Sequence, residues 1–227
     1  MIVAIQQPEH LPWIGFFHKM TQCDIFVYLD TVQFKKRYYE NRNRIKTKDG
    51  IRWLTIPVYV KGKYKQKIKD VQIFDEISWK KKYISLIEHS YKKAPYWNDI
   101  VKYILPCLFD SPKLLSELNI TMIESIKKYL NIDTICIKAS DLDLNNLQGS
   151  QLIMETCLKL NADQYISGPS GKNYLDVFIF EEKKIRIKYH NFLHPEYPQM
   201  YGKFASHLSI IDLLVNCGTN SRKIIEM

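Results

Sequence analysis

The stretch MIVAIQQPEHLPWIGFFHKMTQCDIFVYLD (1–30) decides the fold. IVAIQQ (2–7) is a short apolar run ended by Pro8, as expected of a buried β-strand. From Trp13 to Met20 the spacing is helical, with Trp13, Phe16, Phe17 and Met20 on one side. DIFVYLD (24–30) is a second apolar run, bounded by acids. Strand, helix and strand in so short a span predict a βαβ unit and hence a parallel sheet.

Working outward, the same alternation returns in the second half. TICIKA (134–139), QYIS (164–167) and KIRIKY (184–189) read as strands, with helices at 149–160 and 174–183 between them. The parallel-sheet candidates are 2–6, 25–30, 134–139, 164–167 and 185–189. Between the second and third lies a block of another kind. RWLTIPV (52–58) reads as a strand of an antiparallel flap, since Pro57 suits an edge. Helices follow over 77–93, 96–109 and 112–130, the last with Ser111 as cap and Pro112 at its first position. A final helix over 206–216 ends at Gly218. The expected fold is a single α/β domain over 1–227. Its doubly wound, mostly parallel five-stranded sheet is Rossmann-like, and a β-flap and helical insertion (50–130) follows the second strand.

Composition narrows the function classes. In 227 residues, 46 % are hydrophobic and 25 % charged, which excludes a disordered or collagen-like chain. No apolar run reaches the roughly 18 residues of a membrane helix, and the start resembles a strand rather than a signal peptide. A cytoplasmic location and no membrane partner are expected. The five cysteines are odd in number and form no C-x-x-C, against a disulfide framework or zinc knuckle. The net charge of +9 is uneven: residues 1–103 hold 20 Lys and Arg against 10 Asp and Glu, and 35–69 hold 13 against 2. Such a field attracts an anion, either a phosphorylated small molecule or RNA. The lysines of KGKYKQKIK (61–69) read more simply as the outer face of an edge strand.

Ligands of open parallel sheets bind beyond the carboxyl ends of the strands, so the segments there hold the candidates. After the first strand come Gln7, His10, Trp13 and Gly15. His10 can act as a base, the helix entry at Pro12–Trp13 offers N–H groups to an anion, and Gly15 allows close approach. His18, away from the apolar stripe, reads as a structural residue. After the second strand come Asp30, Gln33, Arg37, Asn41, Arg42 and Arg44, where guanidinium forks fit phosphate oxygens. The turn SGPSGKNY (167–174) offers Ser167, Gly168, Ser170, Gly171, Lys172 and Tyr174 to a phosphate, although Walker spacing is absent. The aromatic, proline-rich loop after the last strand supplies His190, Tyr197 and Gln199. His190 and His194 stand four apart, but Pro195 disfavours the helix a metal pair would need, so no metal is assigned.

At these residues the sequence resembles the WbqC-like family of bacterial proteins. The likeness rests on QQPEHLPWIGFFHKM, DIFVYLDTVQFKKRYYENRNRIKT with WLTIPV behind it, YISGPSGKNYL, and YPQMYGKF followed by LSIIDLLVNCG. The family is associated with O-antigen, lipopolysaccharide and other surface-polysaccharide gene clusters, and a role in transferring glycine to an amino sugar is proposed for it. The resemblance implies N-acyl (aminoacyl, glycyl) transfer onto a nucleotide-linked (dTDP or UDP) amino sugar, with His10 as the base. The acyl donor would be glycine activated with ATP, or an aminoacyl-tRNA. In order of elements the chain is also similar to nucleotidyltransferases of the pantothenate synthetase type. Their H-x-G-H motif is replaced here by Trp13-Ile14-Gly15-Phe16, which keeps the glycine and loses both histidines. The competing expectation is an RNA-binding or scaffold protein without catalysis.

Overall fold

A computed structural model describes residues 1–74, 77–109, 113–144 and 146–227. The chain divides into two compact units: residues 1–8, 18–32 and 134–193 form the first, and residues 9–17, 33–133 and 194–227 the second. Residues 50–130, read from the sequence as an insertion, lie in the second unit.

The first unit is built on five parallel strands: β1 (Ile2–Gln6), β2 (Ile25–Tyr28), β5 (Ile135–Lys138), β6 (Gln164–Ser167) and β7 (Arg186–Tyr189). All five expected strands are present. Their order is β5-β2-β1-β6-β7, with Val3 opposite Ile25 on one side of β1 and Tyr165 on the other. By chain order this is 3-2-1-4-5, the doubly wound arrangement in which strand order reverses at β1. The middle strand needs apolar residues on both faces, and Val3, Ala4 and Ile5 are buried. Val3, Ile5, Val27 and Leu29 join a core with Leu152, Ile153 and Cys157 of α5 (Gly149–Lys159) and Phe180 of α6 (Val177–Glu182). The edge strands carry Lys138 on β5 and Arg186 and Lys188 on β7, charges that deter further pairing.

The second unit holds an antiparallel hairpin, β3 (Arg42–Thr47) and β4 (Gly50–Thr55), with Arg44 opposite Trp53. Around it are α2 (Ile77–Tyr91), α3 (Trp97–Tyr103), α4 (Leu115–Tyr129), α7 (Ile210–Cys217) and α8 (Ser221–Ile225). Helix α4 buries Leu115, Leu118, Met122, Ile123 and Ile126, a helical stripe. Ser209 caps α7 by accepting from the Ile211 N–H, and Gly218 ends it at φ +57°, packed so closely on Tyr96 that a Cβ would lie 2.4 Å from its ring.

Three expectations need correction. The stretch at 42–47 is a strand rather than a recognition loop: Asn43, Ile45 and Thr47 are buried on one face, a period-2 pattern hidden by polar residue types. Residues 61–67 form turns, not an edge strand, with a single bridge joining Gln33 and Lys67. The last helix starts at Ile210, later than expected, because Ser209 rather than Ser206 caps it. The expected cap at Ser111–Pro112 lies outside the described residues. Cys157 and Cys217 are buried free thiols, and Cys136 is half-buried.

Candidate functional site

In the first unit the strand order reverses between β1 and β6, and in open parallel sheets ligands bind beyond the carboxyl ends of the strands at such a point. Gln6 ends β1 with Gln7 beside it, and Ser167 ends β6. The Lys19 side chain of α1 (Ile14–Thr21) is buried, and its ammonium donates to the Ile5 carbonyl (2.9 Å) and Gln6 Oε1 (3.4 Å). A positive charge is thereby fixed at the end of the middle strand. His190, just past β7, donates its backbone N–H to the Ser167 carbonyl at 2.7 Å. Its Nε2 stands 2.7 Å from Nδ1 of His18, and Phe192 packs against both rings. Burial, followed by the neighbouring His18, Lys19 and Lys188, lowers the His190 pKa to about 4. The two rings form an N···N hydrogen bond, and His190 within it is neutral at pH 7.

The turn after β6 closes tightly. Gly171 lies so near Ser167 that a Cβ would meet the Ser167 hydroxyl, so the glycine serves packing. Residues 169–173 form one 3₁₀ turn that exposes Ser170, Lys172 and Tyr174 while Ser167 is buried. The Lys172 ammonium lies 5.3 Å from the centre of the Tyr189 ring. Asp30 is not available to a ligand: it is buried and accepts from the Ser140 N–H (2.9 Å) and hydroxyl (2.7 Å), tying the exits of β2 and β5 together.

In the second unit His10 is fully buried. Asn119 donates from Nδ2 to the Glu40 carbonyl (2.7 Å), which leaves its Oδ1 to accept from His10 Nδ1 (3.0 Å). His10 Nε2 must then accept, and the Tyr83 hydroxyl donates to it at 2.7 Å. Burial holds the imidazole pKa down at about 4. The expectation that His10 is an open base therefore fails in this conformation, since both nitrogens are engaged and neither faces solvent. The loop around it is fixed too: Asn43 donates to the carbonyls of His10 and Leu11, and Ser209 donates to Leu11, which sits at φ +41°.

Because native His10 stays neutral, acid favours the unfolded chain. An unfolded histidine takes up its proton near pH 6.5, so the full contribution is present above that value and is lost as the pH falls toward 4. We expect the second unit to lose roughly 3 kcal/mol between pH 7 and 4 through His10. Half-buried His194, its pKa also lowered by burial, acts in the same direction. Urea titrations at several pH values check this, and a His10→Gln variant should show a shallower dependence.

Other expected contacts resolve into structure. The Trp13 indole covers Gly15, where a Cβ would come within 2.4 Å of its ring, so no ligand approaches there. Trp13 stacks on His207 with 5.0 Å between ring centres, and more loosely on His194. Asn41 donates to the Ile56 carbonyl at the hairpin's open end. Arg42 lies 4.0 Å from the centre of the Trp53 ring and donates to the carbonyl of exposed Arg37; Arg44 donates to His207. Gln199 binds both backbone groups of Ala205 and accepts from the Lys46 ammonium at 3.0 Å. The Tyr197 and Tyr91 hydroxyls both donate to buried Asp212, at 3.0 and 2.8 Å. Gln33 is exposed and donates to the Tyr64 carbonyl.

Residues 7–224 match the model of the WbqC-like protein family. The chain belongs to that family. It is 35 % identical, over 96 % of its own length and 95 % of the other chain's, to an uncharacterized protein of Mycobacterium tuberculosis, Rv1507c. No solved structure matches it. No helix among the described residues is long and apolar enough to cross a membrane, and no cluster of His, Cys, Asp and Glu among them could hold a metal ion. In this member of the family, sequence reasoning missed His18 and Lys19. Their partners, Ile5 and Gln6 for Lys19 and His190 for His18, are set by the fold, not by any local motif.

Proposed function

We propose that this WbqC-like protein is an N-acyltransferase that adds an aminoacyl group, glycyl first among them, to a nucleotide-linked amino sugar in surface-polysaccharide synthesis. The observation that carries the reading is neutral His190, bonded to His18 at the carboxyl end of a Rossmann-like sheet. Amide formation needs a group that takes the proton released as the amine nitrogen attacks. The C–N bond forms, the bond from the acyl carbon to its leaving group breaks, and the amine proton passes into the imidazole bridge and on to the leaving group. An imidazole that is unprotonated at pH 7 is ready for that step. Gln7 and Gly168 line the strand ends beside it, and Lys172 and Ser170 on the exposed turn supply charge and a hydroxyl for phosphate oxygens.

The test is direct. The protein is incubated with dTDP- and UDP-linked amino sugars and either glycine with ATP or charged glycyl-tRNA, and the sugar nucleotide is followed by mass spectrometry. A gain of one glycyl group on the amino sugar is the expected result. Unchanged sugars with every donor would overturn the reading.

A further inference from the structure

A second feature, entirely within the second unit, is independent of the transfer reading. The segments at 33–36 and 60–66 line a partly open pocket of about 470 Å³. That is within the range of small-molecule sites, roughly 300–1,000 Å³. The Phe34 N–H donates to the Gln66 carbonyl (3.0 Å) and the Gln33 amide to the Tyr64 carbonyl (2.8 Å), so the two walls are fastened together. Lys35, Lys36 and Lys63 line the pocket and no lining residue is acidic. Phe34 is buried in its wall, while the Tyr64 ring is 84 % exposed at its edge. Gln66 lines it as well, with Oε1 buried and lacking a donor among the described residues.

Three features set the chemistry of an occupant. The lysines call for an anion, and ammonium groups on flexible stems suit phosphate oxygens. The space exceeds what an inorganic phosphate needs, and Phe34 and Tyr64 in the lining add apolar surface for a ring-bearing ligand. The pocket is partly open to solvent, and its volume matches one nucleotide. We infer that the pocket between residues 33–36 and 60–66 binds a small phosphorylated molecule carrying a planar ring, of the nucleoside diphosphate class. Of the lysines of 61–69, which do not form the edge strand their spacing suggests, Lys63 lines this pocket.

The experiment is isothermal titration of the full chain with uridine 5′-diphosphate, inorganic pyrophosphate and a single-stranded oligouridylate. The wild type is expected to bind the nucleoside diphosphate. The double variant Lys35→Ala, Lys63→Ala should bind it roughly tenfold or more weakly, since it removes two charge-assisted contacts. Tyr64→Ala should weaken the nucleoside diphosphate but leave pyrophosphate unchanged. All three side chains are exposed, and an unaltered circular dichroism spectrum and melting curve identify folded variants. Equal affinity of the lysine variant and the wild type overturns the proposal. So does a wild type that binds neither small ligand, or one that binds only the oligonucleotide with a steep salt dependence.

Discussion

His190→Gln is expected to lower kcat for acyl transfer by roughly 10²–10⁴, the usual contribution of a positioned proton acceptor. Glutamine keeps a polar side chain of similar reach beside Nδ1 of His18, but it cannot accept and release the amine proton. The melting temperature should change little, because half-buried His190 bonds Ser167 through its backbone N–H, which the substitution keeps. The pH profile separates a chemical role from a structural one. With its pKa lowered to about 4, His190 is neutral well below the ordinary histidine value of 6.5. Its acid limb in kcat/KM should therefore lie far to the acid side. His18→Asn removes the charge that, after burial, most depresses His190, and the limb should move toward neutral pH. An acid limb at the same pH in wild type and His18→Asn would show that the pair does not carry the proton.

Asp212→Ala should be the most destabilising single change in the second unit, costing roughly 3–5 kcal/mol. The Asp212 carboxylate is fully buried, and burial raises its pKa against the opposing pull of the Tyr91 and Tyr197 hydroxyls and of Lys46. Its removal strands two buried hydroxyls and leaves the Lys46 ammonium with only Gln199 and the Lys203 carbonyl. Because Tyr91 also accepts from the Lys46 N–H, the damage reaches strand β3. The four tryptophans, at 13, 53, 79 and 97, all belong to this unit, so indole fluorescence in urea reads its unfolding specifically. Tyr197→Phe, which removes one donor and no volume, should cost about 1 kcal/mol. Equal midpoints for Asp212→Ala and the wild type would contradict the network as the anchor of α7.

The parallel strands were legible because they are short apolar runs whose identity rests on residue type alone. The hairpin strand β3 was not, because RNRIKT hides its alternation. Asn43 is buried by its bonds to two carbonyls and Lys46 by its bonds to Gln199 and Lys203, and neither partner is near in sequence. The same reason governs the site. Residue chemistry pointed to His10 as the base and to His190 only as a binding residue, and the structure differs in what each ring meets. His10 meets Asn119 and Tyr83, which saturate it, whereas His190 meets a second imidazole. Asp30, Asn41, Tyr197 and Gln199 were read as substrate-binding residues. Their partners proved to be the protein's own backbone and side chains.

The sheet's topology also sets the order in which the molecule can be made. β1 lies at the centre of its sheet, and one of its two flanking strands, β6, pairs Ile2 with Gln164, far along the chain. On the ribosome the first strand can gain β2 early, but its other edge stays open until most of the chain has emerged. Pairings so distant in sequence raise contact order and slow folding. An apolar strand with an unpaired edge is also a template for association with other nascent chains. Recovery of native protein should therefore depend on the rate of synthesis and on chaperones that shield residues 2–6 until 164–167 arrive.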